Sequence, residues 1–220
     1  MKNDIKFAVI LAGCGVYDGA EIHEATFTLY GIAKHEASYD IFAPDIEQYH
    51  VVNHLSGQVS SEKRNVLVES ARIARGNIKP TSELLEKNYD AVIFPGGFGV
   101  AKNLSDFAFI GEKCSVNEEI ATIIKQFHSN KKPIGALCIS PVIVARVLGN
   151  IDVTIGNDTN TASAIKSFGA NHIETKHGEV AIDKIHKIFT TPCYMLDSSI
   201  VQIAEGAENI VKAMIVTINR

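Results

Sequence analysis

Short apolar runs alternate with amphipathic stretches along the chain. The runs have the length of strands, and the stretches repeat their apolar positions with the period of a helix. Strands are predicted at residues 7–11, 40–43, 91–94 and 134–137, and helices at residues 21–37, 116–128, 141–148 and 198–218. Two of the runs, 7–11 and 91–94, are apolar at every position, which is typical of central strands of a parallel sheet covered on both faces. The pattern predicts an α/β fold with helices on both faces of a mostly parallel sheet.

Two segments interrupt this alternation. Residues 49–60, with Ser56-Gly57 between alternating apolar positions, predict a β-hairpin inserted after the second strand. Residues 172–182, with His177-Gly178 as the turn, predict a second inserted hairpin. The apolar stripe of the last helix is expected to pack on the sheet or on a second subunit. No linker and no repeat interrupts the chain, so residues 1–220 are expected to form a single domain.

Composition and charge exclude several classes of protein. The chain is 46% hydrophobic and 21% charged, which is typical of a globular protein. Its net charge of -4 leaves no basic surplus for a phosphate backbone, so nucleic acid is not an expected partner. No run of about 18 apolar residues indicates a membrane span, and the start at Met1 to Asp4 lacks the charged and apolar regions of a signal peptide. The sequence therefore predicts a cytoplasmic protein that does not contact a membrane.

The four cysteines, Cys14, Cys114, Cys138 and Cys193, are widely and unequally spaced. No C-x-x-C pair suggests a zinc site, and no regular spacing suggests a disulfide framework. They are expected to be free thiols, with no metal and no cofactor. A free cysteine is most often a small core residue, so a chemical role must be argued from its surroundings.

Cys138 lies where the apolar run 134–137 ends and a helix begins within three residues, at Pro141. A thiol at the start of a helix lies near unpaired N–H groups and the positive end of the helix dipole, which favours the thiolate. Proline suits the first helical turn, since its missing N–H is not needed there. An inert buried cysteine explains this segment alone equally well, so the case for a nucleophile rests on other strand ends.

Two other predicted strand ends carry residues that could serve such a thiol. Phe94 is followed by Pro95-Gly96-Gly97, whose N–H groups can approach a ligand closely and form an oxyanion hole. Glu24 lies on the helix after the first strand; if its carboxyl reaches Cys138, the two potential anions favour an acid that keeps its proton. A glycine turn without a ligand and a solvated glutamate are the alternatives.

The sequence resembles the ThiJ/PfpI superfamily in three segments, residues 12–24, 94–97 and 136–138. The fold of this superfamily is that of class I glutamine amidotransferases. The resemblance covers most of the chain and is strongest with bacterial glyoxalases. It implies a flavodoxin-like three-layer sandwich, a homodimer, Cys138 as the nucleophile and Glu24 as the supporting acid. It also implies Gly96, Gly97 and the amide of Ile139 as oxyanion donors. The implied reaction is cofactor-free conversion of a small dicarbonyl, glyoxal with methylglyoxal as the second candidate, to the hydroxy acid through a thiohemiacetal.

The chain also departs from the superfamily pattern. Many relatives have a histidine directly after the cysteine, whereas this chain has Ile139, so the usual nucleophile and base pair is absent. His172-Ile173-Glu174 resembles the His-x-Glu pair of glutamine amidotransferases but follows Cys138 closely, and we expect it to be structural. His23 should point away from whatever Glu24 faces, because adjacent helical residues diverge by ~100°. Weak catalysis is therefore expected.

Two alternative functions stay open. Gly13, Gly15 and Gly19 after the first strand, Asp45 after the second, and the spacing of Tyr30 and Lys34 resemble parts of a dehydrogenase. The second alternative is a non-catalytic thiol sensor or binding protein, in which Cys138 is oxidised or traps aldehydes. Cys14 and Cys193 could then lie at the same edge as Cys138, although ordinary strand-end cysteines are the simpler interpretation. No Asp-rich run indicates a prenyl-diphosphate site, so any link to isoprenoid synthesis is implied by the resemblance only.

Overall fold

The computed structural model describes residues 4–219. Met1, Lys2 and Asn3, on which the prediction about a leader partly rested, lie outside the described residues. The strands are β1 (Lys6–Ile10), β2 (Ser38–Ala43), β3 (Val51–Val52), β4 (Val59–Ser60), β5 (Lys79–Pro80), β6 (Ala91–Phe94), β7 (Ile134–Leu137), β8 (Asp152–Val153), β9 (Asn171–His172), β10 (Ala181–Asp183) and β11 (Ile188–Thr191). The helices are α1 (Ile22–Lys34), α2 (Val66–Ile73), α3 (Phe98–Lys102), α4 (Phe107–Ile110), α5 (Glu118–Ser129), α6 (Pro141–Leu148), α7 (Thr159–Ser167) and α8 (Ile200–Ile218).

A seven-stranded sheet with the order β10-β11-β7-β6-β1-β2-β5 forms the centre of the molecule. Every pairing in it is parallel except that of β10 with β11. The strands β1, β6 and β7 are almost completely buried, as expected for a sheet covered on both faces. The predicted α/β class is therefore confirmed, and the carboxyl ends of β1, β6, β7 and β11 meet at one edge.

Two apolar cores lie on opposite faces of the sheet. One packs α1 and α8 against residues such as Phe7 and Ile93. The other packs α5, α6 and α7 against residues such as Ile10 and Phe94. This arrangement of helices, sheet and helices confirms the flavodoxin-like three-layer sandwich. Within residues 4–219, no helix is long and apolar enough to cross a membrane.

The first predicted hairpin is confirmed and the second is wrong. Val51 and Val52 of β3 pair antiparallel with β4. In the second segment, β9 pairs parallel with β8, and β10 forms its hairpin with β11 instead. The turn lies after Asp183. The Asp183 carboxylate accepts the N–H groups of Ile185 and His186, and the turn ends at Lys187, which has a φ of 57°. An aspartate turn, rather than His177-Gly178, therefore reverses the chain.

Candidate active site

Cys138 lies at a sharp turn between β7 and α6. Its φ is 58°, in the left-handed region that side chains rarely adopt. The N–H of Cys138 donates to the carbonyl of Thr191 at 2.9 Å, and the Ser140 hydroxyl donates to the carbonyl of Pro95 at 2.8 Å. Because these bonds tie the turn to β11 and to the end of β6, the structure holds the cysteine in a conformation that costs about 1–3 kcal/mol. Such stored strain at a strand end is common at functional sites.

Glu24 lies on the first turn of α1, fully buried, and its carboxyl hydrogen-bonds to the side chain of Cys138. Oε2 accepts the N–H of Gly96 at 2.9 Å, and Oε1 accepts the N–H of Tyr194 at 3.2 Å. The side chain of Glu21 caps α1 by accepting the N–H of Glu24 at 2.7 Å. The carboxyl is therefore fixed from three segments of the chain, with Cys138 as its side-chain partner.

The environment raises the pKa of both acidic groups. Burial, followed by the charge of Glu21, raises the pKa of Glu24 to about 8 from its ordinary value of 4.5. Burial and the charge of Glu24 raise the pKa of Cys138 well above that of a free thiol, although the N–H groups of Gly97 and Ile139 donate to its sulfur and lower it. The structure thus differs from the expectation of a low thiol pKa, because burial outweighs the helix dipole. At neutral pH this site holds at most one negative charge.

Gly96 leaves no room for a side chain beside this pair. A methyl group there would overlap the Cβ of Cys138 and lie 2.5 Å from Oε2 of Glu24. Its N–H already has Glu24 as a partner, so it positions the acid in this geometry. The N–H groups directed at the sulfur belong to Gly97 and Ile139. Of the three expected oxyanion donors, these two are the ones that donate to the sulfur of Cys138.

Replacing Gly96 by alanine should displace Cys138 or Glu24, since the Cβ of Cys138 is attached directly to the backbone and cannot retreat as the end of a flexible side chain would. We expect a loss of about 1–3 kcal/mol in the free energy of unfolding, the usual cost of overpacking, measured by urea denaturation. Gly31→Ala is the matched control, because the nearest atom to its added methyl is 3.4 Å away on α8. Equal stabilities of the two variants would contradict the tight packing at Gly96.

A cavity of about 400 Å³ opens beside the sulfur. Its lining includes Cys138, Gly97 and Ile139, the groups of the turn and of its two N–H donors. Glu21 and Tyr194 also line it, whereas the fully buried Glu24 does not. A ligand in this cavity can thus reach the sulfur while the acid stays shielded from water.

The glycine segment after β1 packs against the start of α3. The N–H of Gly99 donates to the carbonyl of Gly19 at 2.8 Å, and a methyl group at Gly15 would lie 2.6 Å from His54. Tyr30 and Lys34 lie on the outer side of α1, where Lys34 pairs with Glu208 at 2.8 Å. The glycines that resembled a dinucleotide loop therefore serve tight packing, and the tyrosine and lysine face away from the cavity.

Neither histidine considered from the sequence contacts the thiol. Nδ1 of His23 bonds to the hydroxyl of Tyr194 at 2.8 Å on the exposed side of α1. Nε2 of His172 accepts the N–H of Ile155 at 3.4 Å, and burial lowers the pKa of this ring. The structural interpretation of His172 fits these contacts. Among the described residues that line the cavity, none is a histidine.

All four cysteines are free thiols. Cys193 differs from the expectation of an ordinary strand-end residue: it is buried with a φ of 43°, and burial together with the charges of Glu24 and Cys138 raises its pKa. Cys14 is half-buried near Glu69, and Cys114 is fully buried. Within residues 4–219, no three His, Cys, Asp or Glu side chains form a group that could hold a metal ion.

Glu21 and Tyr194 belong to this site, although no sequence pattern singled them out. Glu21 is the first residue of the predicted helix 21–37, but its capping of Glu24 depends on how the chain enters α1. Tyr194 directly follows Cys193, which the sequence places at a strand end. Since Tyr194 contributes its backbone N–H to Glu24, no side-chain pattern could have identified it.

Two curated proteins match this chain over nearly its whole length. The human "glutamine amidotransferase-like class 1 domain-containing protein 3, mitochondrial" is 46% identical and covers 96% of this chain and 82% of its own. The rat "ES1 protein homolog, mitochondrial" is 45% identical and covers 96% of this chain and 83% of its own. No family model matches the chain.

Solved structures agree with this result. An Ehrlichia chaffeensis structure, described as an isoprenoid biosynthesis protein with an amidotransferase-like domain, has a TM-score of 0.92 at 35% identity and covers 97% of this chain and 99% of that one. A ThiJ/PfpI domain protein from Brachyspira murdochii has a TM-score of 0.59 at 16% identity, covering 99% of this chain and 96% of that one. Glyoxalase III from Candida albicans has a TM-score of 0.62 at 13% identity, with 97% of each chain covered. These last two show a shared fold.

The expected cytoplasmic location is wrong by this comparison. The human and rat relatives are named mitochondrial, and so is the ES1 protein of zebrafish, Danio rerio, at 38% identity over 93% of this chain and 83% of its own. The expectation rested on charge and hydropathy, which describe how a protein meets solvent and carry no information about its compartment. On the identity and coverage of these relatives, the chain belongs to the family of glutamine amidotransferase-like class 1 domain proteins, with a fold of the ThiJ/PfpI type.

Proposed function

We propose that this protein is a cofactor-independent glyoxalase that converts glyoxal to glycolate, with methylglyoxal as a second substrate, and that Cys138 is its nucleophile. The observation that carries the proposal is the contact between the buried Glu24 carboxyl and the strained Cys138, which lines a cavity. A solved structure of the same fold is named glyoxalase III. At low identity that likeness supports the fold, and the chemistry is argued from the site.

The reaction begins with Glu24 as the carboxylate and Cys138 as the thiol. The Glu24 carboxylate accepts the thiol proton as the sulfur of Cys138 bonds to one aldehyde carbon, and that proton then passes to the carbonyl oxygen, which gives a thiohemiacetal and restores the carboxylate. The N–H groups of Gly97 and Ile139 donate to the sulfur, and the oxygen that gains charge in this step is two bonds from that sulfur, so these donors are close enough to serve it.

A hydrogen then moves from the attacked carbon to its neighbour. It leaves the attacked carbon as a proton, the electron pair forms an enediol between the two carbons, and the neighbouring carbon then takes up a proton. The attacked carbon is oxidised to a thioester and the neighbouring carbonyl is reduced to an alcohol, so no external oxidant or reductant takes part. Water cleaves the thioester, releasing glycolate and one proton and restoring the thiol. Glu24 is the buried acid in contact with the sulfur and carries the proton between these steps.

The experiment that tests this proposal counts products per chain. Glyoxal labelled with ¹³C is incubated with the native protein, and glyoxal and glycolate are both followed by NMR. Glycolate that accumulates to many equivalents of protein supports a glyoxalase. Loss of glyoxal that stops near one equivalent, with no glycolate, would refute turnover and favour the alternative of a thiol that traps aldehydes.

The pH dependence of the reaction follows from the pKa of about 8 for Glu24. Below that pH the carboxyl holds its proton and cannot accept one from the thiol. We expect kcat/KM to rise about tenfold per pH unit below the apparent pKa and to level off near pH 8. The measurement is the initial rate of glycolate formation from pH 5.5 to 9. A flat profile over this range would contradict a proton-accepting role for Glu24.

The sensor alternative has one observation in its favour. Cys193 is a second buried thiol whose pKa responds to the charges of Glu24 and Cys138. The raised pKa of Cys138 argues against it, because oxidants react with the thiolate and burial leaves little thiolate at this position. The homodimer stays a prediction. A connection with isoprenoid synthesis rests on the printed description of the Ehrlichia chaffeensis structure.

A further inference from the structure

The cavity beside Cys138 is too large for glyoxal. Its volume is about 400 Å³, whereas a water molecule in the liquid occupies about 30 Å³, so the cavity has the volume of roughly a dozen waters. Glyoxal has only four heavy atoms, and cavities of about 300–1,000 Å³ usually hold ligands of drug size. A bound glyoxal would leave most of this space filled with water, which would stay close to the reacting carbon.

The walls of the cavity are mainly apolar. Apolar side chains from five segments of the chain contribute to them, among them Val16, Phe98, Phe107, Ala108, Ile139 and Met195. An apolar group in this space would displace water and gain binding free energy in proportion to the area it buries. The walls therefore fit a substrate that carries an apolar substituent on the carbonyl group.

The charges around the cavity are negative. Glu21 and Asp158 line it, and hydrogen bonds from Thr161 lower the pKa of Asp158, which is therefore ionised at neutral pH. Among the described lining residues there is no Lys, Arg or His. A substrate carboxylate would thus meet two acidic side chains and no counterion. This disfavours an amino acid such as glutamine, and it disfavours any 2-oxo acid.

Two nearby basic side chains have other partners. Lys102 donates to the carbonyl of Tyr17 at 2.8 Å, and its ammonium lies 5.5 Å from the centre of the Phe98 ring. His23 bonds to the hydroxyl of Tyr194 at 2.8 Å. Neither lines the cavity, so neither offsets the two carboxylates.

We infer that the preferred substrates are uncharged 2-oxoaldehydes, R–CO–CHO, in which R is an apolar group about the size of a phenyl ring. This inference rests on the proposed function and gives its substrate class. The steps balance as they do for glyoxal: the aldehyde carbon is oxidised to the acid, the ketone carbon is reduced to the alcohol, and water supplies the second carboxylate oxygen. The product is R–CHOH–COO⁻ with one proton released.

The test compares phenylglyoxal with glyoxal by measuring hydroxy-acid formation in the native protein. We expect kcat/KM for phenylglyoxal to exceed that for glyoxal by at least about tenfold, the order of discrimination that an apolar pocket gives. The two aldehydes also differ in intrinsic reactivity. Because that difference is the same for every variant, a variant with a changed cavity controls for it. Ala108 is exposed on α4 and lines the cavity, so Ala108→Leu fills space without disturbing the core.

Ala108→Leu should lower the ratio of the two kcat/KM values at least about threefold, whereas the exposed Ala33→Leu on α1 should leave it unchanged. A carboxylate on the ring, in 4-carboxyphenylglyoxal, should reduce kcat/KM, and Asp158→Asn should recover part of that loss while it still caps α7.

Three outcomes separate the inference from the function on which it rests. A high ratio that falls in Ala108→Leu alone supports the substrate class. Glycolate formation with a ratio below one, or with a ratio that both alanine variants leave unchanged, overturns the substrate class and leaves the glyoxalase standing. No hydroxy acid from any of the substrates overturns both.

Discussion

Replacing Cys138 by serine should reduce hydroxy-acid formation at least about a thousandfold, since an alcohol in this position ionises far less readily than a thiol and cannot form the thioester. Serine is smaller and hydrogen-bonds in the same way, so the N–H groups of Gly97 and Ile139 keep an acceptor. The fold should therefore survive the change. Product formation is measured by NMR at pH 8, and stability by thermal unfolding of the same samples.

Cys114→Ser is the matched control for that experiment. Cys114 is also buried, and its pKa is also raised, chiefly by burial. The carbonyl of Cys114 accepts a hydrogen bond from Nε of Arg146 at 2.7 Å, and Arg146 also hydrogen-bonds to its side chain, as serine would still allow. Activity that falls equally in the two variants would point to a general effect of placing a hydroxyl in the interior, and it would remove the case for Cys138 as nucleophile.

Glu24→Gln should lower the activity and should also remove the contribution of Glu24 to the pH dependence of stability. Because glutamine neither accepts nor carries the thiol proton, hydroxy-acid formation should fall at least about a hundredfold. In the native protein the folded pKa of about 8 lies above the ordinary value of 4.5. Between these two pH values the folded state holds a proton that the unfolded state has released, so stability falls as pH rises.

The size of this effect follows from the two pKa values. The Glu24 contribution to the free energy of unfolding should fall by about 4 kcal/mol between pH 5 and pH 9. The variant lacks this pH-dependent loss. Its free energy of unfolding is lower by an amount that does not depend on pH, because glutamine has one oxygen for the two N–H donors, Gly96 and Tyr194. The difference in slope between the two proteins, measured by urea denaturation at each pH, therefore reports Glu24 alone.

Glu36→Gln serves as the control for this comparison, because Glu36 is an exposed carboxylate just after α1. It should keep both the activity and the pH dependence of the native protein. If native and Glu24→Gln proteins lost stability in parallel from pH 5 to pH 9, then Glu24 would be ionised throughout. The proposed pH profile of the reaction would then fail as well.

The strands and helices around the site follow closely from the sequence. Residues 91–94, 134–137 and 141–148 have the predicted bounds, because continuous apolar runs and Pro141 mark them unambiguously. The edge of the sheet was less predictable. Strands of two or three residues such as β8, β9 and β10 carry too few side chains for a period, and their pairing is decided by turns. The misassigned second hairpin reflects this limit.

The site was predictable as far as side chains determine it. Cys138, Glu24, Gly97 and Ile139 lie together, as the strand ends suggested. The pKa of the thiol could not be predicted from its place at a helix start, because it depends on burial by segments distant in the chain. Backbone donors were equally inaccessible, since any residue offers an N–H and only the folded chain shows where it points.

The hydrogen bonds that hold the Glu24 carboxyl also determine when the site can form during synthesis. Glu24 lies on α1, early in the chain. One of its two N–H donors is Tyr194, which lies far later in the chain, just before α8. The turn at Cys138 likewise needs the carbonyl of Thr191. A ribosome-bound chain that lacks these residues has the thiol but neither its held conformation nor its fixed acid. The pair of Cys138 and Glu24 is thus assembled late in folding, only after residues 191–194 have been made and have reached their places.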